Sequence, residues 1–303
     1  MPNARPLANI GRVMTPAPAV TWLDGAMGSV LAARGVDTRG PAWSAGALLE
    51  APSKVADLHR EYAEAGATVH TACTFRATPE GARALGVARF ERLVERAVEL
   101  ARGAVPAHHR VAGSVSPAAD CYTPSARPAD ARQRHARVAR ALASAGVDLF
   151  LCETFVDDVE ALLAVEACAA HGRPVWLSLT GGPFGELAST RAVRAVASRA
   201  LGAGVEAILV NCTAAALTRT YVEALADLPV VIGAYANAGR PEEELGYLAD
   251  WPGPAPTEAE LGRRASRYAE LAQTWISAGA TLIGGCCGTF PEHLRAVRAR
   301  VGR

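Results

Sequence analysis

Short, nearly continuous apolar runs alternate along this chain with longer stretches whose apolar residues recur every three or four positions. Eight short runs stand out: Thr21–Asp24, Ala67–Thr71, Arg110–Val115, Leu149–Glu153, Val175–Leu179, Ala207–Asn211, Val230–Tyr235 and Thr281–Gly285. Unbroken hydrophobicity over so few residues is the pattern of strands buried on both faces. Between them, Val55–Ala65 sets Val55, Leu58, Tyr62 and Ala65 on one helical face and stops at Gly66. Further helices are predicted over Arg83–Gly103, Ala129–Ala145, Asp157–Ala170 and Thr190–Leu201, and from an N-cap at Thr257 to about Ser277. The phrase Ala-Gly-Ala/Val recurs before strands, at residues 65–67, 145–147, 203–205 and 278–280. Each is a helix C-cap feeding a parallel strand.

Eight β/α units without a linker predict a (β/α)8 TIM barrel, an α/β fold in a single domain, with a doubly wound open sheet as the alternative. The barrel is placed at residues 19–303, after a Pro-rich flexible tail over residues 1–18. The longest irregular stretch, Gly239–Pro256, is expected to form a loop over one end.

Composition narrows the function. The 303 residues carry a formal net charge of +1, and the cationic residues are almost all Arg, Lys54 being the lone Lys. That balance points to no nucleic acid and no membrane surface as partner. No apolar run reaches the roughly 20 residues that span a bilayer, and the first residues lack a secretory signal. Seven cysteines, an odd number without framework spacing, suit a reducing cytoplasm, where cysteine more often serves metal or catalysis. The oligomeric state is not encoded legibly.

In a TIM barrel the active site lies at the C-terminal ends of the strands. There the chain reads Asp24-Gly25, Thr71 with Cys73-Thr74, Ser114, Cys152-Glu153-Thr154, Ser178, Asn211-Cys212-Thr213, Tyr235 with Asn237, and Cys286-Cys287. Strands six and eight are near neighbours, so Cys212 can meet Cys286 and Cys287. Three thiolates with a fourth position open are a catalytic zinc site's ligand set. Packing or a vicinal disulfide stays open for Cys286-Cys287, and Cys73 and Cys152 also sit at strand ends. Cys168 reads as a buried hydrophobe, and Cys121 lies in a loop with no evident partner. His108-His109 reads as a solvated pair, and Arg132, Arg134, Arg137 and Arg140 as the outer face of one helix.

Leu23-Asp24-Gly25-Ala26-Met27-Gly28, Asn211-Cys212-Thr213 and Gly284-Gly285-Cys286-Cys287-Gly288-Thr289 resemble the homocysteine S-methyltransferase family, over about Thr21 to Arg298. Trp43, the stretch Thr71–Phe75 and Glu153-Thr154 match the same pattern. The resemblance implies Zn2+ on Cys212, Cys286 and Cys287. It makes Asp24, Gly25 and Glu153 holders of the amino-acid end of homocysteine, sets Asn211 beside the first ligand, and adds Thr71 and Trp43 to the substrate site. The implied reaction moves a methyl group from a small-molecule donor to the homocysteine thiol, giving methionine, with S-methylmethionine or S-adenosylmethionine as donor. Three alternatives accompany it: a homocysteine-activating module served by a separate corrinoid or folate carrier, a methyltransferase for another thiol or selenol, and a non-catalytic zinc- or thiol-binding barrel. The chain departs from its relatives after Ser116-Pro117, at Arg76 and Thr154, where betaine enzymes carry aromatics that grip quaternary ammonium groups, and at Asn237-Ala238-Gly239-Arg240. Betaine is thereby disfavoured. Tyr235 and Asn237 are candidates for the fourth zinc position.

Overall fold

A computed structural model of the chain describes residues 19–238 and 255–302. Its strands are β1 (Thr21–Trp22), β2 (Val69–Thr71), β3 (Arg110–Val115), β4 (Leu149–Phe155), β5 (Val175–Leu179), β6 (Ala207–Ala214), β7 (Val231–Asn237) and β8 (Leu282–Gly285). Among the described residues the early helices are α1 (Gly28–Ala33), α2 (Ala47–Glu50), α3 (Pro52–Ala65), α4 (Pro79–Ala84), α5 (Phe90–Ala104) and α6 (Ala131–Ala145). They are followed by α7 (Asp158–Ala169), α8 (Thr190–Leu201), α9 (Ala215–Leu225), α10 (Glu258–Ser277) and α11 (Pro291–Val301).

The strands run parallel in the order β1-β8-β7-β6-β5-β4-β3-β2. A bridge between Leu23 and Val69 joins the two ends, with the Asp24 amide donating to the Val69 carbonyl at 3.0 Å. This closes the TIM barrel that the eight runs predict, and an open sheet is ruled out.

The barrel interior is filled by a small apolar cluster in which Trp176 packs with Leu23, Leu149, Leu151 and Leu209 and with the small Ala112 and Ala207. The larger apolar core lies between strands and helices, where Trp275 of α10 is fully buried and donates its indole N–H to the Ala215 carbonyl at 3.2 Å.

Two elements differ from expectation. The helix predicted over Arg83–Gly103 is two helices, α4 and α5, because Gly86 turns the chain with φ +67°. Thr78, whose hydroxyl accepts from the Gly81 amide, and Pro79 begin α4 earlier. The helix α9, which the periodicity did not predict, follows β6 directly with no residue between them. Elsewhere the expectations hold closely, and Thr257 caps α10 in a reciprocal box with Glu260. The tail over residues 1–18 and nearly all of the loop over Gly239–Pro256 fall outside the described residues. No helix among the described residues is long and apolar enough to cross a membrane.

Trp275→Ala empties the largest fully buried side chain between α10 and the sheet. It should lower the unfolding free energy by about 3–5 kcal/mol, measured as a drop in the urea midpoint at unchanged slope. A midpoint unchanged from the parent would show that this interface contributes little.

Candidate active site

The C-terminal mouth of the barrel opens into a cavity of about 600 Å³. Asp24, Gly25, Trp43, Thr71, Glu153, Cys212, Cys286 and Cys287 line it, all but one of the residues that the family resemblance assigns to the metal and substrate site. The exception, Asn211, is fully buried behind the wall.

Cys212 leaves β6 and Cys286-Cys287 follow β8, and one sulfur from each lies within 4.8 Å of the other two. Sγ of Cys212 is 2.8 Å from Sγ of Cys286, against about 2.05 Å for a disulfide. All the cysteines among the described residues are free, so no vicinal bond ties Cys286 to Cys287. Cys73 is not part of the cluster, since its thiol donates to the Ser44 carbonyl at 3.4 Å. Cys152 points away to Cys168 at 3.6 Å, where both are packing residues.

The turn that carries the pair is fixed at many points. The Cys286 amide donates to the Ala236 carbonyl at 2.8 Å, and the Ala238 amide to the Cys287 carbonyl at 2.9 Å. The Thr289 hydroxyl donates to the Cys286 carbonyl at 2.7 Å. A Cβ at Gly285 would stand 2.2 Å from that hydroxyl, so the tight path needs glycine there. Gly25 is similarly constrained, because a Cβ would meet the Tyr62 ring at 2.7 Å. Tyr62 sets its hydroxyl between the Ala26 and Thr289 carbonyls, at 2.9 and 3.0 Å, and so joins the β1 loop to the cysteine turn.

Three non-glycine residues adopt left-handed backbone, Trp43 (φ 44°), Thr154 (φ 68°) and Cys212 (φ 48°), and all three line this cavity. Such strain persists where surroundings over-determine it. Asn211 does so here. Its Oδ1 accepts from the Ser178 hydroxyl at 2.8 Å and the Thr154 amide at 3.2 Å, while its Nδ2 donates to the Thr154 hydroxyl at 2.8 Å. One buried amide therefore locks the strained ends of β4 and β6 together.

Two carboxylates line the same cavity. Asp24 accepts the Thr71 amide at 2.8 Å and the Thr71 hydroxyl at 3.0 Å. Burial, and to a smaller degree the charge of Glu153, push its carboxyl up to about 8. Glu153 accepts from the hydroxyls of Ser114 and, at 3.0 Å, Tyr235. Burial likewise lifts it to about 7. The Tyr235 hydroxyl thus orients a carboxylate. Asn237 is buried, and its side-chain amide has no partner among the described residues. Ser114, Ser178 and Tyr235 sit at strand ends and were legible as polar residues, but which carboxylate or amide each serves was not.

Two further readings are corrected. His109 is not simply solvated, since its Nδ1 lies 3.0 Å from Nε2 of the fully buried His70, with the rings stacked. Cys121 is not without surroundings, because it lines the cavity beside Tyr122.

A barrel with three thiols converging on one mouth and two buried carboxylates beside them defines a class of thiol- and metal-handling enzyme. The sequence model described as homocysteine S-methyltransferase matches residues 21–301, and the chain belongs to that family. It is 31% identical to the homocysteine S-methyltransferase of Escherichia coli (strain K12), over 93% of this chain and 95% of that protein. It is 30% identical to homocysteine S-methyltransferase 4 of Zea mays, over 92% and 88%. Among solved structures it resembles the metallated form of the Escherichia coli homocysteine methyltransferase MmuM, with a TM-score of 0.75, 29% identity and coverage of 93% and 96%.

Asn211→Ala strands the Ser178 hydroxyl and the Thr154 amide in a dry interior. Each unpaired group costs about 1–3 kcal/mol, so urea unfolding should show a loss of about 2–4 kcal/mol. The same variant should retain less bound metal, read by elemental analysis. Full metal content and parental stability would remove Asn211 from its positioning role.

Proposed function

We propose that this protein transfers a methyl group from a sulfonium donor, S-methylmethionine or S-adenosylmethionine, to the thiol of homocysteine, giving methionine, with zinc on Cys212, Cys286 and Cys287. The observation that carries the reading is the convergence of these three thiols in a cavity whose neighbouring wall holds two buried carboxylates.

The donor set fits zinc. Three cysteine sulfurs are the protein ligand set of a catalytic zinc site, and no fourth His, Cys, Asp or Glu joins their cluster among the described residues. Without a cation, hydrogen bonds to Cys286 and Cys287 and burial hold the Cys212 thiol well above its ordinary value. Zinc bound there would keep an acceptor thiol deprotonated at neutral pH.

Asp24 and Glu153 suit the acceptor's ammonium group. Both are fixed by hydrogen bonds, and both lack a cationic side-chain partner among the described residues. The acceptor thiolate then attacks the methyl carbon. A sulfur–carbon bond forms, the donor's sulfur–carbon bond breaks, and its electron pair returns to the sulfonium, leaving two neutral thioethers. No general base is needed, because the thiol proton leaves before the transfer. The cytoplasm is the compartment that suits a site built of reduced thiols.

Purified protein should hold about one zinc per chain and lose it in Cys286→Ser. With homocysteine, product should form from a sulfonium donor alone. Product only when a methyl-corrinoid protein is added would replace this reading with that of an activating module. Homocysteine binding with no turnover on any donor would make the barrel non-catalytic.

The acidic wall gives a pH signature. In the free protein Asp24, at about 8, holds a proton at neutral pH, and Glu153, at about 7, holds one in part. An ammonium group favours their charged forms, so binding must release protons and tighten as pH rises from 6 to 8. Methionine has no thiol to titrate and isolates this effect. Calorimetry in buffers of different ionisation enthalpy should show proton release at pH 7, reduced in Asp24→Asn. Methionine affinity independent of pH would contradict the assignment.

A further inference from the structure

The acceptor half of the cavity uses the thiols and the two carboxylates. The remaining wall, from the loop after β2 and the loop after β3, has no role in that account. Its cation is Arg76, which lines the cavity. Nη1 of Arg76 donates to the Ala119 carbonyl at 2.9 Å, and the guanidinium lies over the Phe75 ring at 5.1 Å. Phe75 is in turn held edge-on by Trp43 at 5.7 Å. The guanidinium is therefore fixed in place with most of its five N–H donors uncommitted.

No carboxylate among the described residues pairs with it. The neighbouring Asp120 spends its oxygens on the Tyr122 amide at 3.3 Å and the Thr123 hydroxyl at 2.7 Å. Arg39, the other cation on the lining, is held in a fork by Asp37 at 3.0 and 2.9 Å. Among the described residues the cavity thus presents one positioned guanidinium without a carboxylate partner. Cys121, from the loop after β3, lines the cavity on this wall as well.

An unpaired guanidinium repels a bare sulfonium ion. It attracts a sulfonium whose other end carries a carboxylate, because its planar fork matches carboxylate geometry. We propose that Arg76 is the donor-side anchor, binding the carboxylate of an amino-acid sulfonium, so that the cavity holds two amino acids whose sulfur ends meet at the cysteine cluster. The acceptor's amino end lies on Asp24 and Glu153, and the donor's carboxylate on Arg76. This rests on the methyltransferase reading above and adds the selection of donors by a carboxylate remote from the reacting methyl.

The test uses Arg76→Met, which keeps a stem over Phe75, and Arg76→Lys, which keeps the charge. Steady-state kinetics with homocysteine compare S-methylmethionine, which carries a carboxylate, with trimethylsulfonium, which does not. The expected result in Arg76→Met is a KM for S-methylmethionine raised about 10- to 100-fold, the usual worth of one charge-assisted pair. Homocysteine KM and kcat should stay within about twofold, and trimethylsulfonium KM should be unchanged or lower. Arg76→Lys should recover part of the S-methylmethionine affinity. Equilibrium binding of S-methylmethionine to the zinc-loaded protein should fall in parallel, a readout independent of turnover, and unchanged zinc content controls for folding. A rise in homocysteine KM instead would assign Arg76 to the acceptor's carboxylate and overturn the proposal. Equal losses for both donors would overturn it too, leaving Arg76 a structural role. Failure of the wild-type protein to use any sulfonium donor would defeat the parent reading, and that result is distinct because it appears before any substitution is made.

Discussion

Three cysteine sulfurs brought within 4.8 Å of one another, Cys212 buried and Cys286 and Cys287 half-buried, set the terms for everything else at this barrel mouth. Left alone, such thiols suppress one another's ionisation, because each charge is opposed by burial and by its neighbours. A divalent cation reverses that balance, since it is the largest local charge and pulls the protons off. The arrangement is therefore poor as packing and good as a ligand set. The backbone around it departs from comfortable geometry to achieve it, with left-handed conformations at Cys212 and Thr154.

Holding that geometry falls to groups that never touch a substrate. Asn211 spans the ends of β4, β5 and β6 with one side-chain amide. Tyr62 and Thr289 join the β1 loop to the cysteine turn. These contacts belong to the barrel as much as to the site. Parallel strands deliver their C-terminal ends to one face, and the bridge of Leu23 to Val69 closes the circle that brings Asp24 beside Thr71. A site split over β1, β2, β4, β6 and β8 becomes compact only because the sheet closes.

Much of this was legible in the sequence, and the reasons are physical. Strands buried on both faces leave unbroken apolar runs, so all eight were found. Their polar last residues mark the mouth of a barrel, so Asp24, Glu153, Cys212 and the Cys286-Cys287 pair could be named. What failed was pairing. Tyr235 shows as a polar strand end, but whether its hydroxyl meets a metal or Glu153 depends on the stagger of β7 against β4, which no local pattern encodes. His109 looked solvated because its partner, His70, is 39 positions away on another strand. The single helix expected over Arg83–Gly103 broke at Gly86, where a glycine inside an amphipathic pattern could equally have been tolerated.

The distribution of charge across the cavity gives the chemistry its direction. Sulfurs and carboxylates gather on the acceptor side, an environment that favours an ammonium group and, once a metal is bound, an electron-rich sulfur. In the proposed reaction a sulfonium donor brings positive charge toward that side, and methyl transfer then removes both the thiolate's negative charge and the sulfonium's positive charge. Charge is annihilated in the transition state, so a strongly polar surround at the reacting atoms would favour the reactants and slow the step. The structure is consistent with this constraint. The fixed ionic groups, Asp24, Glu153 and Arg76, come from the ends of β1 and β4 and the loop after β2. The Cys121 thiol, which burial pushes up to about 12 and so keeps uncharged, also lines the cavity. Binding groups act at the substrates' remote ends, where charge does not change, and the reacting sulfurs are left to the cysteine cluster.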